Sequence, residues 1–273
     1  FEDVIAEVEL LAADGVVEVT LLGQNVNSYG RDRYGEPRFA ELLRAVAGTG
    51  VGRIRFATSH PKDLSDETIR ALAEVPALMP YLHLPVQHGS DRMLAAMNRG
   101  YTRDAYLERI ARLREAVPDI ALSTDLIVGF PGETEDDFAL MLDLVERVAF
   151  DHAFTFIYSR REGTPAADLT DRVPRPFAQE RFDRLVTLVR DLSLVANTRE
   201  VGAIRPALIE GPSRRDEGVL AARTPHNRLV HLPVPPGSTA EDLAGTVRDV
   251  RITAAHPWFL TGALADDTDE SGG

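Results

Sequence analysis

Polar side chains recur beside five apolar segments that each predict a β-strand. They are Gln24, Asn25 and Asn27 after the first segment, Ser59 and His60 after the second, Gln87, His88 and Ser90 after the third, Asp125 with the fourth, and Tyr158 and Arg161 after the fifth. Because the carboxyl ends of parallel strands meet on one face of a barrel, we expect these side chains to lie together. The pattern therefore predicts a ligand site on that face, with amides that can both donate and accept hydrogen bonds.

The fourth segment leads into a turn that is rich in glycine. Residues 121–128 form an apolar run, residues 129–132 read Gly-Phe-Pro-Gly, and Thr134 with the acidic residues 135–137 suits the start of a helix. A strand, a glycine turn and a helix bring backbone close to a ligand in α/β proteins. The alternative is an ordinary connection between a strand and a helix.

A metal site is a second chemistry that these residue types allow. His60, His83, His88 and Asp125 near strand ends could bind zinc, as in a metal-dependent barrel hydrolase or lyase. The chain contains no cysteine, which excludes disulfides, thiolate catalysis and cysteine-ligated metal within it. An RNA-binding chain without a small-molecule site is a third alternative.

Composition limits the class of protein. The 273 residues are 44% hydrophobic and 27% charged, which is ordinary globular composition, and no run is apolar enough to predict a membrane span or a signal peptide. We therefore expect a soluble, cytoplasmic protein. The net charge of −13 argues against nonspecific binding to polyanions. Residues 199–258 depart from this balance, since eight arginines against seven acidic residues give +1.

The apolar segments alternate with helical segments in units of roughly 30–40 residues, which predicts α/β architecture with a parallel sheet. The chain is expected to begin with a helix over residues 1–13 and to reach a long helix over residues 174–201. The residues of that long helix expected to face the core are Phe182, Leu185, Val189, Leu192 and Val195. No Gly-x-Gly-x-x-Gly fingerprint follows a predicted strand, so a nucleotide-binding Rossmann domain is disfavoured.

The pattern changes after Gly202 to short β-like runs over residues 207–210, 219–222, 229–234 and 246–254, separated by turns rich in glycine and proline. These predict a small β-barrel of a class that often carries nucleic-acid modules. The expected domains are a partial barrel over residues 1–200, a small β-barrel over residues 201–265, and a disordered acidic tail over residues 266–273.

Five stretches together carry a resemblance that each alone would not. They read LLGQNVNSYG at residues 21–30, RFATSHP at 55–61, HLPVQHGSDR at 83–92, IVGFPGET at 127–134 and YSRREGTPAA at 158–167. In this order at strand ends they resemble the radical-SAM tRNA methylthiotransferases of the MiaB type. Residues 250–262, VRITAAHPWFLTG, are similar to the TRAM domain that ends that family. Small departures are His88, where serine is more usual, and Arg160, where proline is more usual.

The resemblance implies a partial parallel (β/α) barrel of the radical-SAM type, without its first strand, followed by a small all-β TRAM-like barrel. It implies S-adenosylmethionine (SAM) as cofactor and two 4Fe-4S clusters in the complete protein. It also implies that the cysteines for those clusters precede Phe1. Because iron–sulfur clusters need thiolates, we expect this chain to hold neither cluster and to be catalytically incompetent by itself.

The resemblance also assigns roles to residues. Gln24 and Asn25 would bind the methionine end of SAM, Ser59, Gln87 and Asp125 would bind the ribose, and the backbone from Ile127 to Gly129 would flank the adenine. Tyr158 and Arg161 would contact the substrate RNA, and Arg214, Arg215, Arg223 and Arg228 would contact phosphates. The structural alternatives are a helix cap for Ser90, a surface salt bridge for Arg161 and a solvated face for the four arginines.

The expected reaction is methylthiolation of carbon 2 of N6-isopentenyladenosine next to the anticodon. The expected partners are a tRNA anticodon stem-loop and an electron donor such as flavodoxin or ferredoxin, and the expected oligomeric state is a monomer. Within the family, the alternatives act on threonylcarbamoyladenosine or on a ribosomal-protein aspartate. The stretch QNVNSYG favours the isopentenyladenosine enzyme.

Overall fold

The computed structural model describes residues 1–57, 59–160 and 163–265 and contains two domains. The first domain alternates helices and strands: α1 (Glu2–Ala13), β1 (Glu18–Leu21), α2 (Arg31–Tyr34), α3 (Phe39–Ala47), β2 (Arg53–Phe56), α4 (Asp66–Glu74), β3 (Tyr81–His83), α5 (Asp91–Ala96), α6 (Arg103–Ala116), β4 (Ala121–Val128), α7 (Glu135–Val148), β5 (His152–Ile157) and α8 (Arg175–Thr198). Among the described residues, no helix combines the length and the apolar character that crossing a membrane requires.

All five strands of this domain run parallel, as predicted, but they form two ladders. One ladder joins β1 to β2, and the other has the order β3-β4-β5. Between them, Ile54 pairs with Leu78 in a single bridge. Pro80 has no N–H, so the ladder cannot continue from the bridge into β3. The predicted parallel sheet of a partial barrel is confirmed, and this bridge joins its two ladders through Ile54, whose N–H donates to the Ala77 carbonyl at 2.7 Å and whose carbonyl accepts from Met79 N–H at 3.0 Å.

The β3-β4-β5 sheet has two faces of different character. One face packs in the main core beneath the helices, through residues such as Leu82, Leu122, Leu126 and Val128. The residues between them share the opposite face, since paired residues of parallel strands point the same way. We call it the inner face; its residues are Tyr81, His83, Ala121, Ser123, Asp125, Ile127, His152, Phe154 and Phe156.

Side-chain caps begin three helices, including the one predicted at Thr134, whereas the cap considered for Ser90 is not formed. The Ser65, Thr102 and Thr134 side chains accept from backbone N–H groups of α4, α6 and α7, and Thr134 forms a full capping box. Ser90 occupies the N-cap position of α5, but its hydroxyl donates to Asp137 Oδ1 at 2.6 Å instead.

The long helix α8 is confirmed, with one error in its predicted core face. Leu185 and Val189 are buried, whereas Val195 is exposed. In the last turns of α8 the buried face carries Ser193 and Asn197 instead, and Asn197 Nδ2 donates to the His256 carbonyl of the second domain at 2.7 Å.

The second domain is the small barrel, a closed barrel with strand order β10-β8-β7-β6-β9. Its elements are β6 (Ile204–Ser213), β7 (Asp216–Arg223), β8 (Leu229–Pro233), α9 (Ala240–Leu243), β9 (Val247–Ala255) and β10 (Leu260–Leu264). The sequence predicted four of these strands and missed β10. The predicted acidic tail, residues 266–273, lies outside the described residues.

Polar contacts fix the small barrel to the amino ends of the first domain's strands. Arg53 Nη2 donates to the Arg223 carbonyl at 3.1 Å, and Arg55 donates to the carbonyls of Thr224 (2.8 Å) and Pro225 (3.0 Å). The Glu18 carboxylate on β1 accepts from Arg55 Nε at 2.9 Å and forms an ion pair with Arg53 Nε at 2.8 Å. The turn between β7 and β8 therefore covers this end of the barrel and leaves the carboxyl edge open.

Candidate functional site

The carboxyl ends of β1 and β2 lie side by side. Two asparagines that follow β1 therefore contact side chains that follow β2. Asn25 Nδ2 donates to Asp63 Oδ2 at 2.6 Å, and Ser59 Oγ donates to Asn27 Oδ1 at 3.2 Å. The remaining amide atoms, Asn25 Oδ1 and Asn27 Nδ2, are buried without a hydrogen-bond partner among the described residues. Such orphaned groups are costly, so they mark a position where a polar ligand would be stabilised.

An open cleft of about 780 Å³ adjoins Asn25. Gln24 is exposed at its border, and Arg31 donates to Asp63 Oδ1 at 3.1 Å. The cleft residues are Gln24, Asn25, Ser28, Tyr29, Gly30, Arg31, Asp32, Arg33, Tyr34, Lys62 and Asp63. Gln24 and Asn25, adjacent in sequence, thus reach the same solvent-accessible cleft.

Gln87 connects the third strand to the fourth beyond the end of β3. Its N–H donates to the Asp125 carbonyl at 2.9 Å, and its carbonyl accepts from Ile127 N at 2.9 Å. Gln87 holds a φ of 73°, a left-handed conformation that is strained for a residue with a side chain. Two of the predicted site residues, Gln87 and Asp125, are therefore neighbours through backbone pairing.

Asp125 lies on the inner face beside His83, and Tyr81 and Ser123 complete a chain of polar contacts there. His83 Nε2 lies 3.6 Å from Asp125 Oδ1, and His83 Nδ1 is 2.8 Å from Ser123 Oγ. The Tyr81 hydroxyl is 2.7 Å from the same Ser123 oxygen. This chain of contacts orients the His83 ring toward the Asp125 carboxylate.

The glycine turn after β4 is held by a buried carboxylate that the sequence reasoning did not single out. Gly129 N–H donates to Glu133 Oε2 at 2.9 Å, and Arg181 Nη1 donates to Glu133 Oε1 at 2.7 Å. His88 Nδ1 accepts from Ser90 N at 3.0 Å, so its proton lies on Nε2, which donates to Glu133 Oε2 at 3.2 Å. The sequence signal was a glutamate four residues after a turn glycine.

Gly129 itself meets two requirements. Its φ is 72°, and an added Cβ would lie 2.8 Å from the Ala178 side chain on α8. A side chain here would both strain the backbone and push α8 away. The close approach of turn and helix leaves the backbone from Ile127 to Gly129 at the open carboxyl edge.

A second buried carboxylate, Asp137, ties α5 to the first turn of α7. Burial by itself raises the pKa of Asp137, but hydrogen bonds from Arg92, Ser90 and Thr134 outweigh it and hold that pKa well below its usual range. Asp137 is therefore ionised at neutral pH. This explains why Ser90 is part of the scaffold rather than a helix cap.

Of the two residues expected to contact RNA in the first domain, the structure describes Tyr158 but not Arg161. Tyr158 continues β5, donating its N–H to the Val128 carbonyl at 2.8 Å, and its ring packs edge-on against Phe130 at 5.0 Å. Its hydroxyl is buried without a hydrogen-bond partner among the described residues. Arg161 lies outside the described residues.

The four arginines of the small barrel separate into two groups. Arg214 and Arg215 are exposed in the turn between β6 and β7 and form no ion pair with another described residue. Arg223 makes a two-point contact with Glu210 at 2.8 and 3.1 Å. Arg228 is nearly buried, bound to Asp151 Oδ1 at 2.5 Å and Asn197 Oδ1 at 2.6 Å. Arg228 therefore joins the two domains and is not free to contact a phosphate, which corrects the expectation from sequence.

The alternative zinc site does not assemble from its predicted ligands. His60 accepts from Lys62 N at the start of a 3-10 turn, and His88 is committed to Glu133. Within the described ranges, no group of three or more His, Cys, Asp or Glu residues is placed to hold a metal ion. The geometry thus gives the hydrolase alternative no support.

Comparisons with known proteins agree with this division of the chain. The sequence profile of the Radical SAM superfamily matches residues 1–145, and that of the TRAM domain matches residues 198–265. In overall fold, the chain is similar to coproporphyrinogen III oxidase (HemN) of Escherichia coli, a Radical SAM enzyme. That match has a TM-score of 0.53 at 14% identity and covers 82% of this chain and 59% of the other.

Two relatives are named tRNA-2-methylthio-N(6)-dimethylallyladenosine synthase. The protein of Carboxydothermus hydrogenoformans is 48% identical over 264 residues, covering 96% of this chain and 59% of the relative. That of Acidothermus cellulolyticus is 49% identical over 263 residues, covering 94% and 52%. The chain thus spans little more than half the length of these relatives. The chain belongs to the Radical SAM superfamily, and it is similar to relatives named as the tRNA methylthiotransferases that its five sequence motifs resemble.

Proposed function

We propose that this chain supplies the SAM-binding and RNA-binding parts of an enzyme that methylthiolates carbon 2 of N6-dimethylallyladenosine, the isopentenyladenosine of the prediction, next to the anticodon of tRNA. The observation that carries the proposal is the pair of buried, unpartnered amide atoms on Asn25 and Asn27, at the same edge as the clamped Gly129 turn. The names of the relatives favour this substrate over threonylcarbamoyladenosine or a ribosomal-protein aspartate.

The residues at the carboxyl edge fit the polar ends of SAM. Gln24 and Asn25 would bind its amino and carboxylate groups, and Ser59, Gln87 and Asp125 would bind the ribose. The backbone from Ile127 to Gly129 would lie against the adenine, held in place by Glu133. Bound SAM, given one electron by a cluster of the complete protein, would supply a radical able to react at an unactivated aromatic C–H. The chain's own residues would position the reactants and exclude water.

The residues of this chain fit SAM but do not fit an iron–sulfur cluster. Clusters are held by cysteine thiolates, and this chain has none. The clusters, their number and the electron donor, such as flavodoxin or ferredoxin, therefore belong to the proposal for the complete protein. A tRNA substrate would also place the complete protein, acting as a monomer, in the cytoplasm.

The decisive experiment joins this chain to its upstream coding sequence and expresses the product anaerobically. We expect methylthio-adenosine in tRNA by mass spectrometry, and none from the chain alone. If the upstream sequence contains no cysteine triplet, or if the complete protein forms no methylthio-adenosine, the proposed function is wrong.

Calorimetry tests directly whether the unpartnered amide atoms of Asn25 and Asn27 bind SAM. We expect this chain to bind SAM weakly, and Asn25→Ala with Asn27→Ala to weaken that binding further. Gln179→Ala is the matched control, since this amide is exposed on α8 and bonds only Asp183, at 2.8 Å, among the described residues. Equal losses in the Asn and Gln variants would remove the support that the asparagines give.

A further inference from the structure

Three rings in contact, and a fourth ring farther along β5, extend from the small barrel onto the inner face. Trp258 packs against His152 with ring centroids 5.5 Å apart, and His152 packs against Phe154 at 4.7 Å. Phe156 follows on the same face of β5. We call Trp258, His152, Phe154 and Phe156 the aromatic row. It crosses the junction between the two domains.

Trp258, His152 and Phe154 pack edge to face, and the three apolar rings of the row are exposed to solvent. The interplanar angles are 89° and 85°, so each ring edge meets the face of the next. Trp258, Phe154 and Phe156 are 47%, 48% and 49% exposed, respectively. The core of the domain lies on the opposite face of the sheet, so packing of this domain does not account for these apolar surfaces.

A cavity of about 200 Å³ adjoins the row at the domain junction. Its lining includes Tyr81, His226, Asn227 and Phe259 besides members of the row. His226 Nδ1 is buried there without a partner among the described residues. Burial, together with the nearby His83, lowers the pKa of His152, so its ring is neutral at pH 7. Flat apolar faces thus stand beside an unpaired polar atom.

We propose that the aromatic row binds consecutive unpaired bases of an RNA loop, which deepens the proposed function by naming where the RNA loop is held. A nucleobase has a π-face for stacking and a polar edge for hydrogen bonds, and this pairing of groups is what the row and His226 offer. Phe154 and Phe156 are two residues apart on one strand, roughly 7 Å, so each can stack its own base. Stacking of this kind tolerates any base.

Two features favour RNA over an apolar peptide as the occupant of the aromatic row. The row runs onto the small barrel, which matches the TRAM domain. That barrel also carries the exposed Arg214 and Arg215 in its β6–β7 turn, at the end away from the domain junction. The adjoining cavity carries unpaired polar atoms that an apolar peptide side chain would leave unsatisfied.

Trp258 makes the test direct, because it is the only tryptophan of the chain. An RNA stem-loop with unpaired loop nucleotides is titrated into the full chain while Trp258 fluorescence is recorded. A fully paired duplex of the same length serves as the control RNA. We expect the stem-loop to quench Trp258 and the duplex to leave it unchanged, since paired bases cannot stack on the row. Anisotropy of end-labelled RNA measures the affinity in parallel.

Substitutions separate stacking from general apolar contact. Phe154→Leu and Trp258→Leu keep apolar volume but lose the π-face, and each should weaken stem-loop affinity by about 5-fold to 150-fold. Trp258→Phe keeps a ring and should stay within a few-fold of the parent chain. Phe177→Leu is the matched control: it is 58% exposed on α8, away from the row, and should leave the affinity unchanged.

Several results would overturn the inference. They are stem-loop binding with unchanged Trp258 fluorescence, equal quenching by the duplex, no binding of the stem-loop at low salt, or an equal loss of affinity in Phe177→Leu and Phe154→Leu. The proposed function is tested separately, by methylthio-adenosine formation in the complete protein. Product there combined with any of these results refutes the aromatic row alone.

Discussion

Replacing Glu133 with alanine removes the carboxylate that holds the turn after β4. The side chain is fully buried and contacts three partners: Gly129 N–H at 2.9 Å, Arg181 at 2.7 Å and His88 at 3.2 Å. The variant therefore leaves a buried arginine, an imidazole N–H and a backbone N–H with a lost acceptor. We expect a large loss of stability in the first domain.

The magnitude follows from the burial of the pair. Removing one partner of a buried ion pair costs about 3–5 kcal/mol. Arg181 keeps two other acceptors, Glu135 at 3.2 Å and the Glu133 carbonyl at 3.2 Å, which favours the lower end. A loss of about 3 kcal/mol is a large part of a total stability of about 5–15 kcal/mol. It corresponds to a decrease in Tm of about 6–12 °C for a domain of this size.

Urea unfolding of the full chain, followed by circular dichroism, measures this free energy. Glu135→Ala is the control, because Glu135 binds the same arginine, at 3.2 Å, from an exposed position and should cost under about 1 kcal/mol. Equal unfolding midpoints for the two variants would refute the reasoning, and so would a loss below about 1 kcal/mol for Glu133→Ala.

Three further variants test the scaffold, each by the same unfolding measurement. Thr134→Ala removes the capping box of α7 and should cost about 1 kcal/mol; a cost near zero would mean that the cap is not formed in solution. Gly89→Ala places a Cβ 2.6 Å from the backbone of α7 and should cost more than about 2 kcal/mol, whereas Gly52→Ala, with its nearest contact at 3.5 Å, should be nearly neutral. Arg228→Met breaks the buried pair at the domain junction and should cost about 2 kcal/mol or more, against under about 1 kcal/mol for Arg223→Met, which loses only a surface pair; equal costs would contradict the junction role.

Local sequence signals allowed the order of helices and strands to be predicted. Contacts between residues far apart in the sequence could not be predicted in this way. Thr134 caps its own helix, and the acidic residues of the first turn make this helix start predictable from the sequence. The Ser90 hydroxyl instead binds Asp137, 47 residues away, and no local pattern reveals such a partner. Strand β10 was missed because Gly262 interrupts its apolar pattern, although that glycine is what lets Val250 approach the strand closely.

The candidate site shows the same limit. Its polar residues follow strand ends, so their shared edge could be predicted from the α/β pattern alone. The clamp on Gly129 could not, because Glu133, His88 and Arg181 come from three separate elements. Arg228 was misjudged for the same reason, since the sequence shows an arginine in a basic module but not the Asp151 that neutralises it.

Arginine–carboxylate ion pairs lie at the ends of the barrel, whereas the inner face is nearly uncharged. Arginine–carboxylate pairs lie at the two ends of the barrel, through Arg181 at the carboxyl edge and Arg53 at the amino edge. The inner face carries no arginine or lysine, and Asp125 is its one carboxylate. Such a face suits an uncharged base and repels a phosphate. RNA phosphates would therefore have to be met on the small barrel, where Arg214 and Arg215 remain exposed while bases stack along the aromatic row.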